Sequence, residues 1–306
     1  MENKLVPTHK YKTSVVFLDD DINFLNFLKG WLISDNYEFH FVNSQTDLEN
    51  FIRKSEEQRN KLPPILTKLD NELNDLVNHE AFDFDLSRFM EIRNIPNKSA
   101  EMSVIFIDND LGDYSGIDIC SRLSPRLRFK KILLTGDCDK MRAIDALNKQ
   151  VINLFIDKID LNDNTSSSIV DKVLEEIKNF SDYYFIGSNF YNNPLISSTS
   201  FKKLFDSILE QYKIIEYYLL EKDMFLLIDN QNREIFFKCW QDADFDNYYK
   251  IYFDDLDNSN NTKLKNAMLN RQIPIGQQFI DSVQFNEYYY VQGYIENSIS
   301  LKNSTK

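Results

Sequence analysis

The chain has 306 residues, enough for two domains of ordinary size. Hydrophobic residues make up 42% and aromatics 14%, with 24 Phe and 16 Tyr, so two cores can be filled and wholesale disorder is excluded. A formal charge of −13 repels phosphate backbones and anionic lipid surfaces alike, which argues against nucleic-acid and membrane-surface roles.

Cys120, Cys138 and Cys239 are few and widely spaced, so neither a disulfide framework nor a zinc ligand pair is suggested. The N-terminal run ends quickly at Asp19 without a signal-peptide pattern, and no stretch reaches the ~20 apolar residues that span a bilayer. A cytoplasmic location is expected.

In chain order, Ser14 opens SVVFL, a β-branched apolar run that stops at Asp19, Asp20 and Asp21 and reads as a buried parallel strand ending in a polar loop. Asp21 is placed to cap a helix carrying Phe24, Leu25, Leu28, Trp31 and Leu32 on one face. Tyr37 to Val42 is a second strand, and Ser103 to Ile107 a third that runs into Asp108. Lys131 to Leu134 and Asn153 to Ile156 give a fourth and a fifth, with helices at Ile117 to Leu123 and Lys140 to Asn148. This alternation predicts a doubly wound parallel α/β sheet, whose ligands sit at the carboxyl ends of its strands.

The stretch from Val42 to Asp108 is far longer than a crossover helix needs. Its excess, about 53–100, carries Leu66, Leu69, Leu73, Leu76 and Val77 at helical spacing after Pro63 and Pro64. It reads as an inserted amphipathic helix with polar flanks, covering its own domain or binding a partner. Thr165 to Phe180 predicts a further helix with Ile169, Val173, Ile177 and Phe180 on one stripe, and ends the first domain, residues 1–180. A connector at 181–199 leads to a smaller α+β domain at 200–306. There the pattern predicts a helix at Phe201 to Tyr212 and strands at Ile214 to Leu220, Met224 to Ile228 and Glu234 to Trp240. Helical stretches near Phe245 to Tyr252 and Thr262 to Asn270 precede a last strand at Tyr288 to Ile295.

Four strand ends deliver polar groups to one rim: Asp19, Asp20 and Asp21, then Asp108, then Thr135, then Lys158. Crowded carboxylates repel one another, so a hard cation such as Mg²⁺ is their natural neutraliser. A carboxylate such as Asp108 can attack phosphorus to give an acyl phosphate. The metal and the Lys158 ammonium would then take up charge on the phosphoryl oxygens, while the Thr135 hydroxyl hydrogen-bonds one of them. Taken singly, each residue has a blander reading: Asp21 as a cap, Thr135 as structural, Lys158 as a solvated charge. Asp137, Asp139 and Asp157 read as solvated or capping residues, and His9, His40 and His79 form no grouping.

FLDDD, IFIDNDLGDYSG, ILLTG and LFIDK, in that order and each at a strand end, resemble the response-regulator receiver family of two-component signalling over about residues 14–180, the insertion aside. The resemblance implies a five-stranded parallel sheet of flavodoxin-like order. It makes Asp108 the phosphoacceptor and Asp19 and Asp20 the acidic pair that binds Mg²⁺ with Asp108 and the backbone carbonyl of Asp110. Thr135 and Phe155 become the switch pair, Lys158 the phosphate-facing lysine, and Gly116 the glycine of the turn before the next helix. Two positions depart from the pattern: Ile159 stands where proline usually follows the lysine, and Gly112 replaces the usual proline after the acceptor.

Between Ser181 and Lys306 acidic residues outnumber basic ones, and no basic recognition helix is visible, Lys263 and Lys265 being too few. The strand pair FLLID and REIFFKCW resembles those of PAS-like sensor domains only weakly. Tyr217, Tyr218, Tyr288, Tyr289 and Tyr290 could line a pocket or interface, or be plain half-buried strand residues. The sequence therefore reads as a response regulator, phosphorylated by a sensor histidine kinase or phosphotransfer protein. It would signal to a downstream protein partner without binding nucleic acid or membrane. The alternatives are a receiver gating an enzymatic or ligand-binding output, and a pseudo-receiver scaffold. A homodimer is favoured through the receiver face and the Thr165 to Phe180 helix, whose apolar run continues into Tyr183, Tyr184 and Phe185.

Overall fold

The computed structural model describes residues 6–62, 66–68, 82–84, 87–123, 129–136, 140–158, 171, 173–178, 193–253, 258–275 and 278–295. The chain divides into two compact units. One takes in residues 11–64 and 91–186, the other residues 2–10, 65–90 and 187–306. The division is therefore not the simple linear one expected from the sequence. Strand β1 (His9–Lys10) pairs antiparallel with β11 (Ile214–Glu221) and so belongs to the sheet of the second unit.

The first unit is built on β2 (Thr13–Leu18), β3 (Tyr37–Val42), β6 (Met102–Asp108), β9 (Lys130–Thr135) and β10 (Leu154–Asp157). They form one parallel sheet in the order β3-β2-β6-β9-β10, the flavodoxin-like order. Every residue of β2 and β6 is buried, as a strand covered on both faces requires. Their side chains alternate between two cores. Val15, Phe17, Val104 and Phe106 point to one, where α1 (Ile22–Trp31) supplies Leu25 and Leu28 and the helical residues 173–178 (α6) supply Val173 and Ile177. Val16, Leu18, Ile105 and Ile107 point to the other. That core is closed by Leu48 and Ile52 of α2 (Gln45–Arg59), Ile119 and Cys120 of α4 (Gly116–Arg122), and Ala143 and Ala146 of α5 (Lys140–Asn148). Burial pushes the Cys120 thiol up to about 12, so it behaves as a core residue rather than a nucleophile.

The long interval before β6 differs from the expected inserted helix. Helix α2 runs on to Arg59, beyond the expected start of the insertion at Arg53. Leu66 lies in β4 (Leu66–Lys68), an extended segment paired antiparallel with β5 (Phe82–Phe84). Leu69, Leu73, Leu76 and Val77 lie outside the described residues, as do Tyr183, Tyr184 and Phe185 and the start of the helix expected at Thr165. Helix α3 (Ser87–Arg93) follows β5.

In the second unit β11, β12 (Met224–Asp229), β13 (Glu234–Trp240), β16 (Val283–Phe285) and β17 (Tyr288–Tyr294) join β1 in an antiparallel sheet ordered β1-β11-β12-β13-β17-β16. Phe201 and Phe205 of α7 (Thr199–Gln211) pack among Tyr217, Phe225 and Phe237. A separate cluster joins Phe236, Trp240 and Val291 to Phe245 of α8 (Asp242–Phe253) and to Leu264 and Met268 of α9 (Asn258–Leu269). The five tyrosines singled out in the sequence are strand residues, with Tyr217, Tyr218 and Tyr288 fully buried. Tyr289 and Tyr290 pack on Phe245 and Phe237. No helix among the described residues is long and apolar enough to cross a membrane.

In the first unit Phe17 stacks on Phe106 with ring centroids 4.6 Å apart and on Phe41 at 5.4 Å. Phe17→Ala should therefore cost about 3–5 kcal/mol through lost transfer energy and a residual cavity. The loss would be read as a lower urea midpoint at unchanged slope. A change below about 1 kcal/mol would show that the ring is not packed as described.

Candidate functional site

The site grows out of the carboxyl ends of β2, β6, β9 and β10. Asp19 follows the buried β2 and is itself 1% exposed. Its backbone N–H donates to the Val42 carbonyl at 3.2 Å, and its Oδ1 accepts from the Asp21 N–H at 2.9 Å. Asp20 is exposed, while Asp21 caps α1 by accepting from the Asn23 and Phe24 N–H groups, the role expected of it. Asp108 is the last residue of β6 and is 5% exposed. Carboxylate oxygens of Asp19, Asp20 and Asp108 all lie within 4.8 Å of one another.

Lys158, just beyond β10, reaches both buried carboxylates: its Nζ is 2.8 Å from Asp19 Oδ2 and 2.9 Å from Asp108 Oδ2. One ammonium cannot neutralise three carboxylates. Like charges about 4 Å apart near a protein surface repel by about 4 kcal/mol, so the cluster favours a further cation. An all-oxygen, acidic donor set of this span suits a hard divalent ion such as Mg²⁺, and the residues present fit one. Burial pushes the Asp108 carboxyl up to about 6; Lys158 opposes that rise, and the charge of Asp19 adds to it. The Lys158 ammonium is desolvated, which opposes its charge, yet the two carboxylates prevail and hold its pKa above the ordinary lysine value.

The loop after Asp108 is folded tightly against it. Asp110 donates its backbone N–H to the Asp108 carboxylate. Asn109, which the sequence reading passed over, accepts from Ser115 Oγ at 3.0 Å and from the Ile117 N–H at 3.4 Å, and its carbonyl accepts from the Gly116 N–H. Strands β7 (Asp110–Leu111) and β8 (Tyr114–Ser115) form a hairpin whose two-residue turn begins at Gly112, φ +67°. Proline, fixed near −65°, cannot adopt that angle, which explains the glycine where the family pattern has proline. A Cβ on Gly116 would lie 2.2 Å from the Asp108 carbonyl oxygen, so the turn requires glycine there too.

Thr135 ends β9 fully buried. Its hydroxyl donates to the Gly136 carbonyl at 3.1 Å, and its own carbonyl accepts the Lys158 N–H at 2.7 Å. Phe155 is half-buried on β10, against the core that includes α5. Asp157, read from sequence as solvated or capping, is 5% exposed and pairs with Lys140 at 2.8 Å, because its strand position turns it into the protein beside the start of α5. Asp137, Asp139 and Ile159 lie outside the described residues. His9 is buried, its pKa lowered to about 3 by desolvation, and His40 accompanies Ser14 on the sheet, so neither joins the site. A cavity of about 480 Å³ adjoins Asp20, walled by Asn43, Ser44, Leu111, Tyr114 and Arg122 among others.

No protein-family model matches the chain, and no curated protein does. Among solved structures, the Legionella pneumophila response regulator LqsR is similar over 95% of this chain and 89% of its own, at 21% identity and a TM-score of 0.67. A response regulator receiver domain protein from Clostridium thermocellum matches 55% of this chain and 95% of its own, at 17% identity and a TM-score of 0.32. The likeness to LqsR shows the fold: a receiver-type parallel sheet with an antiparallel-sheet unit after it.

With no divalent cation, the Asp108 carboxyl should half-titrate at about pH 6. A ¹³C carboxyl resonance should report this and vanish in Asp108→Asn. Since burial favours the neutral acid, lowering the pH through that value removes the charge. Mg²⁺ favours the charged form and should move the titration to lower pH. A midpoint near 4, as in exposed carboxylates, would contradict the buried placement of Asp108.

Proposed function

We propose that the chain is a two-component response regulator whose first unit accepts a phosphoryl group on Asp108. The observation that carries this reading is the cluster itself: three carboxylates within 4.8 Å and a lysine bridging the two buried ones, all at the carboxyl edge of a receiver-type sheet. In the reaction, an Asp108 carboxylate oxygen attacks the phosphorus of a phosphohistidine on a sensor kinase or phosphotransfer protein. A P–O bond forms as the P–N bond breaks, and the electron pair of that bond leaves with the partner's imidazole. Asp19, Asp20, Asp108 and the Asp110 carbonyl would hold Mg²⁺, which supplies charge stabilisation at the phosphoryl oxygens.

The chain's own groups do the rest. Lys158 gives up its hydrogen bond to Asp108 and follows the charge to a phosphoryl oxygen, still anchored on Asp19. Thr135 exchanges the Gly136 carbonyl for a phosphoryl oxygen, and Phe155 repacks behind it. Lys158 and Thr135 are joined through their backbones, so the two responses are coupled. The added dianion thereby shifts the population toward a different surface around α5 and β10. Met141 and Ile144 of α5 are 77% and 41% exposed, and offer apolar area to a downstream partner or a second copy. The acidic balance of residues 187–306 supports a protein-directed, rather than DNA-directed, output.

Incubation with Mg²⁺ and acetyl phosphate should add one phosphoryl group, seen by intact mass, and Asp108→Asn should abolish it. Asp20→Ala should weaken Mg²⁺ binding at least about tenfold, since the cation loses a charged ligand. Unmodified wild-type protein, or modification that survives Asp108→Asn, would sink the assignment.

A further inference from the structure

Phe24 sits in the first turn of α1, three residues after the cap Asp21, with its ring half-buried at the edge of the core. The ring centroid lies 4.9 Å from Lys158 Nζ. The ammonium is thus held on two sides by carboxylates, at 2.8 and 2.9 Å, and faces an aromatic ring on another. A ring face attracts a cation through its quadrupole and does so most strongly where water is scarce, as at this half-buried lysine.

The two kinds of partner differ in what they permit. A carboxylate oxygen binds an N–H along a preferred direction, whereas a ring face tolerates a range of ammonium orientations. A lysine that must leave Asp108 for a phosphoryl oxygen needs a contact that survives the pivot. Asp19 supplies the directional anchor, and the Phe24 ring supplies a surface along which the ammonium turns without being released to solvent.

We propose that Phe24 is a positioning residue for Lys158, holding the ammonium over the phosphoryl site through its ring face and not merely covering the core. This rests on the reading of Asp108 as phosphoacceptor. The plain alternative is that the ring is apolar filling for α1, which leucine would supply as well.

The two roles separate in the full-length protein with lysine labelled at Cε. In the wild type the Lys158 ε-methylene protons should be shifted upfield by the ring current relative to the other lysines. Phe24→Leu, which keeps the apolar burial, should melt close to wild type, lose that shift and bind beryllofluoride with Mg²⁺ about three- to tenfold more weakly, the range of a partly desolvated cation–ring contact. Phe24→Trp should restore both. An unshifted wild-type resonance, wild-type affinity in Phe24→Leu or failure of Phe24→Trp to rescue would overturn the proposal. If wild type takes up no beryllofluoride, the acceptor reading fails instead, and the ring-current shift still judges the Phe24 contact. If Phe24→Leu does not fold, the wild-type shift and the tryptophan variant decide.

Discussion

The bridge from Lys158 to Asp19 and Asp108 joins residues 139 positions apart and makes burial of two neighbouring carboxylates tolerable. Without the ammonium, burial would hold the Asp108 carboxyl still more firmly in its neutral form. With the ammonium between them, β2, β6 and β10 can all end at one rim, and α1 and the loop after Asp108 can close over it. The arrangement remains short of positive charge, and that shortfall makes the rim chemically suited to a hard cation.

The parallel sheet was readable chiefly because its central strands β2 and β6 are buried on both faces and therefore appear as compact apolar runs. The clustering of Asp19, Asp20, Asp108 and Lys158 was readable because β2, β6 and β10 each stop at or just before one of these residues. What escaped notice lacked such patterning. The last turns of α2 turn Ser55 and Gln58 inward, where Ser55 accepts from the Met102 N–H and Gln58 donates to the Pro96 carbonyl. Polar side chains facing the core break the apolar stripe that would have marked the helix. Asp157 looks solvated in sequence because its partner Lys140 belongs to a different element. Phe24 was visible only as one of several apolar residues on α1, since a ring over a cation leaves no signature in spacing.

In the second unit the long elements were legible and the short ones were not. The strands β14 (Gln272–Ile275) and β15 (Gln278–Asp281) are four residues each, one with a proline, and β16 is shorter still. Such pieces carry too few residues to show a period, and become strands through the neighbours they pair with. The reverse holds for Asp229, whose carboxylate accepts from the Gln231 and Arg233 N–H groups and from the Arg233 side chain. A turn-forming residue of that kind announces itself locally.

The two-residue strand β1 has a consequence for the order of events during synthesis. His9 and Lys10 emerge from the ribosome long before Tyr218 and Tyr217, the residues they face, so this margin of the second sheet must wait for the oldest part of the chain to return. Loop closure grows only slowly with length, so the delay costs little free energy, but it leaves β11 bare in the meantime. A fragment cut at the apparent linker would make that temporary state permanent. Its outermost strand would present unpaired N–H and C=O groups to any other strand it met, and self-association through that margin would masquerade as a native property of the second unit.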